Sequence, residues 1–317
     1  MGGGQGAQPF RDFPVSTTIM TAARPVLVLL GASVLWGASW LPLKAINEAG
    51  ISGVALTFGA YGLLALLLTP WLLASFGRWR HPESMRQLLL IALLGGGANL
   101  AFTTALVYGE VVRVMVLFYP LPVWGVLGGK LFLGESVDGW RWLGVVLAVG
   151  GAVLVLGAWE LLDSPPSWLD LVALLSGLLF ALNNLVFRAA QRVPVRTKLA
   201  AMFWGCTLLA AGILLTGLAA FPVSVVGAAW GGLILYAVFW LLLANIGSQW
   251  AVTHLEAGRA SIIIIMELVT AVVTATWIGG ETMDALELLG GTLILVAASI
   301  EALRAETDEP AVVQSEG

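Results

Sequence analysis

The stretch RASIIIIMELVTAVVTATWIGG, residues 259–280, carries a single charge, Glu267, after its opening Arg259. At 1.5 Å per residue a helix of this length reaches roughly 33 Å, and a bilayer core is about 30 Å thick. Membrane-crossing strands need only 9–11 alternating residues, and this run neither alternates nor stops there. Nine further runs read the same way, at 25–46, 53–76, 87–108, 112–133, 140–158, 168–190, 198–220, 229–252 and 286–304. Ten such runs have no place in a water-soluble chain of 317 residues. Composition agrees: 59% of residues are hydrophobic and 11% charged, where soluble domains carry about 25% charged residues. In lipid each backbone polar group needs a partner within its own segment, which leaves helices for runs of this kind. The predicted fold class is all-α, a polytopic membrane protein of ten transmembrane helices.

The basic residues set an expected orientation. With the N-terminus inside and the sides alternating, thirteen of the fifteen Lys and Arg fall on the cytoplasmic side, and only Lys44 and Arg113 fall outside. The positive-inside rule then predicts both termini in the cytoplasm, and an even number of spans requires them to share a side. Residues 1–24 and 305–317 read as disordered cytoplasmic tails. No cleaved signal peptide is expected, because the first apolar run exceeds a typical h-region. Short loops suit a plasma membrane, with membrane lipids as the surrounding partners and anionic headgroups against the basic rim. The lone Cys206 has no intrachain disulfide partner and reads as packing.

Shifting the chain by 146 residues lays the fourth and fifth runs on the ninth and tenth. Glu110 meets Glu256, Arg113 meets Arg259, Gly134-Glu135 meets Gly280-Glu281, Asp138 meets Asp284 and Gly144 meets Gly290. Charges are scarce here, so these matches outweigh the many apolar ones. A shift of 144 pairs Trp36 with Phe180 and Lys44 with Arg188. The expected organisation is two five-helix repeats, 25–158 and 168–304. Five is odd, so the second repeat enters from the opposite side. Inverted repeats of this kind place a solute site near the midplane between the halves.

Tyr119-Pro120-Leu121-Pro122, then Leu131-Phe132-Leu133-Gly134-Glu135, then Gly144 and Gly150-Gly151, resemble the EamA repeat of the drug/metabolite transporter superfamily. Leu35-Trp36-Gly37-Ala38-Ser39-Trp40 resembles that family's first span, and Met266-Glu267-Leu268 through Gly280-Glu281 repeats the pattern. The resemblance covers residues 25–304. It departs where the family often shows Glu-Pro and this chain has Glu267-Leu268. It departs again where the family often carries an arginine early in span two and this chain has Thr57 and Tyr61. The resemblance implies a ten-helix transporter with a central cavity, alternating access, and small metabolites moved commonly outward.

Glu267 is the leading candidate from the residues themselves. It lies eight residues beyond Arg259, about 12 Å into the bilayer. A carboxylate there is costly unless neutralised, paired or wet. It reads as a proton carrier or a partner for a cationic solute; the competing reading is a protonated Glu bonded between helices. Asn99, Asn183, Asn184, Asn245 and Gln249 are amides inside runs, fit either to line a cavity or to join helices. Trp40, Tyr61, Tyr119 and Trp240, with Trp36, Ser39 and Tyr236, are candidate cavity walls. Trp71, Trp79, Trp140, Trp142 and Trp168 read as interfacial belt. Pro120 and Pro122 are hinge candidates, with a static kink as the alternative. Glu110/Arg113 and Glu256/Arg259, spaced i, i+3, read as gates or as snorkelling pairs, the latter favoured. Glu135 and Glu281 read as helix-end charges rather than ligands.

Other chemistry finds no pattern. Only His81 and His254 are present, without a His-Glu-x-x-His spacing, and no Gly-x-Ser-x-Gly occurs. Gly129-Lys130 lacks the upstream glycine of a phosphate loop, since position 124 is Trp. Gly125-x-x-x-Gly129 fits close helix packing instead. No cofactor, metal or nucleic-acid partner is expected, and the chain does not read as an enzyme. The function expected is secondary transport, outward in the reading preferred here, of small polar or cationic metabolites such as amino acids, with protons as a candidate coupling ion. An uncoupled facilitator, a membrane enzyme and a scaffold are the alternatives, and a homodimer is compatible with the pattern.

Overall fold

The computed structural model describes residues 15–51, 53–108, 111–157, 165–222, 225, 227–278 and 284–304. Among these the chain is a bundle of ten apolar helices. Span one is Arg24–Glu48, two Gly53–Ala74, three Pro82–Ala105, four Val114–Leu133 and five Gly139–Val155. Span six is Trp168–Ala189, seven Val195–Leu215, eight Gly227–His254, nine Ala257–Trp277 and ten Ala285–Leu303. Nine of them run 19 to 28 residues, long and apolar enough to cross a membrane, whereas span five has 17. The protein is a polytopic membrane protein.

Local chemistry explains where spans begin and end. Pro82 opens span three earlier than expected, because a first-turn proline lacks only a donor that has no helical partner anyway. Asp138 caps span five by accepting the Arg141 N–H at 2.9 Å. Asp284 and Glu287 exchange bonds of 2.7 and 2.8 Å at the head of span ten, a capping box. Span seven stops at Leu215, short of the expected 220, and Gly217 follows it at φ +75°, where glycine turns a chain at little cost. One expectation is corrected at the N-terminus. The first helix begins at Val15, so 15–24 continues it rather than joining a disordered tail. The run from Val15 to Arg24 holds no helix breaker, and Pro25 is accommodated within the helix. The remaining tail residues, 1–14 and 305–317, lie outside the described residues, as do Glu110, Gly280 and Glu281.

Three spans are interrupted. Span one breaks at Ala38–Ser39, where the Ser39 hydroxyl donates to the Trp36 carbonyl at 2.6 Å. Span four breaks at Tyr119–Pro120, since Pro120 has no N–H to extend the ladder. Span nine breaks at Ile265 (φ −58°, ψ −15°), where the Leu268 N–H bonds the Ile265 carbonyl at 2.9 Å.

Span two packs on seven, five on ten, three on six and seven, and one on eight and nine, while four lies along six and nine. Spans five and ten cross at Gly151 and Gly290; a Cβ on either would come within 2.6 Å of the other's carbonyl oxygen. Small residues permit such crossings, and packing at close range is what joins helices in lipid. Gly125 faces Ala257 and Ser261 of span nine in the same manner. Trp71, Trp140, Trp142 and Trp168 project outward, exposed.

The two ends of the bundle differ. In the first segment of span nine, Ala257–Ile264, every residue but Arg259 is buried, whereas in Met266–Trp277 the buried residue is Leu268. Span nine is therefore enclosed at the end holding Arg141, Arg188, Lys198 and Glu256, and more exposed toward the other.

Candidate functional site

A cavity of about 100 Å³ lies among spans one, three, four, six, seven, eight and nine. All three interrupted spans deliver side chains to it from beside their breaks: Trp36 before the break in span one, Phe118 before that in span four, and Ile264 and Glu267 around that in span nine. An interrupted helix frees backbone groups and turns side chains away from the regular stripe. In a membrane such breaks persist only inside protein or along a cavity. Span one presses on span nine at this level. A Cβ on Gly37 would overlap the Glu267 carbonyl oxygen and crowd Thr270.

Glu267 lines the cavity, and its Oε1 accepts a 2.9 Å bond from the Tyr119 hydroxyl. Tyr119 comes from the break in span four, so the two broken helices meet through this bond. Asn99 also lines the cavity; its Oδ1 accepts from the Tyr61 hydroxyl at 2.6 Å and its Nδ2 donates to the Gly95 carbonyl at 2.8 Å. Asn245 and Gln249 line it from span eight, one turn apart on the same face. Asn245 Nδ2 donates to the Leu241 carbonyl at 2.8 Å, and Gln249 Nε2 donates to Asn184 Oδ1 at 3.3 Å. The four aromatic walls are Trp36, Phe102, Phe118 and Phe180.

Of the residues singled out in the sequence, Glu267, Asn99, Asn245 and Gln249 thus meet at one cavity. Tyr119, Tyr61 and Asn184 stand behind them as hydrogen-bond partners, and Asn183 lies fully buried beside Met202, 3.9 Å from its sulfur. Trp40 and Trp240 are elsewhere: Trp40 Nε1 donates to Thr274 Oγ1 at 3.0 Å, and Trp240 Nε1 to the Leu35 carbonyl at 2.8 Å. Both tie span one to a neighbour and neither lines the cavity. Pro120 sits at the break in span four and Pro122 in the first turn after it.

Sequence reading missed Phe102, Phe118, Ser33 and Ser248, for which an apolar chain gives little local signal. The repeat shift would have found several positions. The 146-residue shift relates Asn99 to Asn245 and Phe118 to Ile264, and the 144-residue shift relates Trp36 to Phe180; all six line the cavity. Asn99 and Asn245 even make the same bond, each to the carbonyl four residues earlier at 2.8 Å.

The closed end is held by ions. Arg141, its side chain 3% exposed, bonds Glu256 at 2.6 Å and approaches Glu301 at 3.4 Å. Arg304 bonds Asp138 at 2.6 Å. Glu135 accepts the Ala257 N–H with both oxygens at 2.9 Å, capping span nine from the end of span four. Burial pushes the Glu135 carboxyl above its ordinary range, against the pull of the Ala257 and Gly258 amides. Desolvation alone would raise Asp138 too, but the Arg141 amide and the Arg304 guanidinium hold it below its ordinary value. Glu256, matched with Arg259 by spacing, bonds Arg141 of span five, while Arg259 Nη2 reaches the Ala302 carbonyl at 3.4 Å. Buried Lys198 donates to the Phe187 carbonyl at 2.7 Å and to Thr253 Oγ1 at 2.9 Å, joining the ends of spans six and eight.

Residues 23–157 match the EamA-like transporter family. A riboflavin transporter of Rhizobium johnstonii is 27% identical over 154 residues, covering 47% of each chain. An uncharacterized transporter of Vibrio cholerae is 29% identical over 150 residues, 43% of this chain and 48% of that one. The chain thus spans about half the length of these curated relatives. A protein of known crystal structure shares the fold, with a TM-score of 0.73 over 89% of this chain and 98% of its own, at 17% identity.

Proposed function

We propose that this multi-pass membrane protein, which carries an EamA-like transporter domain across residues 23–157, moves small metabolites by alternating access through the central cavity. The observation that carries the reading is the placement of Glu267. A carboxyl group lines the cavity directly after the break in span nine and is held by Tyr119 from the break in span four. Broken helices meeting an ionisable side chain at a central cavity are the recurring construction of secondary transporter sites, and intramembrane carboxyls of this kind serve as proton relays.

The residue pairs 146 and 144 positions apart support a bundle built as two inverted five-helix repeats with the cavity on their common axis. With both termini inside, the ion-held end is cytoplasmic and the more exposed end faces out, so the form described here is closed inward. Alternation then requires the Arg141, Glu256, Glu301 and Asp138 contacts, which join the two repeats, to separate. Glu267 binds a proton on one side and exchanges it for solute on the other, which drives export down a proton gradient. The names of the relatives point to transport rather than catalysis. The Rhizobium relative is named for riboflavin, a flat heteroaromatic, and the aromatic walls here suit flat solutes. A cavity of about 100 Å³ is below the ~150 Å³ that holds benzene in an engineered core. Even a single ring therefore needs the walls to part.

The test is solute flux from protein-containing vesicles, with and without an imposed pH gradient, using riboflavin, amino acids and cationic amines. The reading expects gradient-dependent flux of one class, lost in Glu267→Gln. Flux indifferent to the gradient and the substitution would leave a facilitator with a structural Glu267. Absence of flux across the panel would contradict transport.

A further inference from the structure

Among the polar groups that line the cavity, one buried acceptor stands without a hydrogen-bond partner among the described residues. Asn99 is engaged at both ends of its amide, its oxygen by the Tyr61 hydroxyl and one N–H by the Gly95 carbonyl. Ser248 spends its hydroxyl proton on the Ala244 carbonyl at 2.8 Å. Asn245 spends one Nδ2 proton on the Leu241 carbonyl and keeps its Oδ1 as an acceptor beside a second N–H. Gln249, 2% exposed, spends its Nε2 on Asn184, and its Oε1 has no hydrogen-bond partner among the described residues. Glu267 adds a carboxyl, and no Lys, Arg or His lines the cavity. A buried acceptor without a donor is rare and costly in a folded protein. A bound donor relieves that cost, and a solute that brings only acceptors or negative charge makes it worse.

Resting on the transport reading, we infer that the cavity selects a flat, single-ring cation bearing N–H donors, of the amidine or aryl-amine type. Gln249 is the residue that distinguishes N–H from N-methyl. Once the walls part, the ring stacks among Trp36, Phe102, Phe118 and Phe180, whose faces attract cations. The N–H groups meet the acceptors of Asn245 and Gln249, one turn apart on span eight, and Glu267 balances the charge. A site built to bond a donor rejects an analogue lacking it far more strongly than an apolar pocket rejects an extra methyl. Volume alone would not discriminate among such solutes.

The experiment measures binding to the purified full chain in detergent by titration calorimetry, using benzamidine, phenyltrimethylammonium, benzyl alcohol and benzoate. All four carry one ring; they differ in charge and in donors. Benzamidine is expected to bind at least about tenfold more tightly than phenyltrimethylammonium, the worth of one charge-assisted bond, and benzoate not at all. In Gln249→Met the gap between the two cations closes to about twofold. Equal binding of the two cations by the wild type, binding of benzoate, binding of none of the four, or a gap retained in Gln249→Met would each overturn the inference. The wild-type ranking decides by itself should Gln249→Met not fold. Binding requires no flux: vesicles that move nothing while the ranking holds would sink the transport reading alone. Flux with no such ranking would sink the donor selection alone.

Discussion

Glu267 and Tyr119 share one hydrogen bond across two broken helices, and each tests the other. A bond to an ionised group is worth about 1.5–3 kcal/mol, so Tyr119→Phe should slow gradient-driven flux about ten- to a hundredfold and alter its pH profile. Unchanged flux and pH profile would make the bond incidental. Glu267 was legible in the sequence because a charge inside an apolar run cannot be accidental at small cost. The amides were only half legible: Asn99, Asn245 and Gln249 reach the cavity, but Asn183 and Asn184, alike by residue type, stand behind it. Trp40 and Trp240 were read as walls because their rings suit solutes, yet their N–H groups serve as struts. Phe118 and Phe180 left no local mark, since Phe in a chain that is 59% hydrophobic is ordinary filling.

At the scale of elements, the span boundaries were readable to within about five residues, because hydrophobic length is what the bilayer measures. The breaks were readable only where chemistry announces them. Pro120 marks the break in span four, and Gly37 and Ser39 flank that in span one, but Met266-Glu267-Leu268 holds no breaker and span nine turns at Ile265 regardless. Gly37 is where spans one and nine touch. Gly37→Ala would drive a methyl into the Glu267 carbonyl oxygen, a cost of about 1–3 kcal/mol for overpacking, visible as a lower melting temperature and slower flux. Glu135→Ala removes the cap of span nine and should cost about 0.5–2 kcal/mol, read from melting in detergent. Asp138 carries a pH signature. Its folded value lies below its ordinary one, so its contribution is present above about pH 4 and is lost as the pH falls through the folded value. The group is half-exposed, so the effect stays below about 1 kcal/mol, and Asp138→Asn should flatten the acid limb of the melting curve.

Across the whole molecule, scarce charges at matching positions suggest a repeat in the sequence, and the same shifts relate residues that line the cavity. Which contacts close one end was not legible. Spacing suggested Glu256 with Arg259, but the partner that bonds Glu256 is Arg141, 115 positions away on span five, a choice made only by folding. In the proposed mechanism those contacts are the ones that separate. Ser261, 3% exposed near the closed end of span nine, marks that path when replaced by cysteine, and the native Cys206 is buried. Glu256→Gln should speed maleimide labelling of Ser261→Cys from the ion-held side several-fold, and labelling at an unchanged rate would mean the contacts hold no gate.

The central claim is that Glu267 couples proton movement to solute movement at the cavity where three broken helices meet. It is tested most directly by proton release from vesicles, followed with an internal pH dye, while solute is added outside to wild type and to Glu267→Gln. The account predicts solute-dependent proton flux in the wild type and none in the variant, with the variant folded by its melting temperature. Solute-dependent proton flux that survives Glu267→Gln would contradict it.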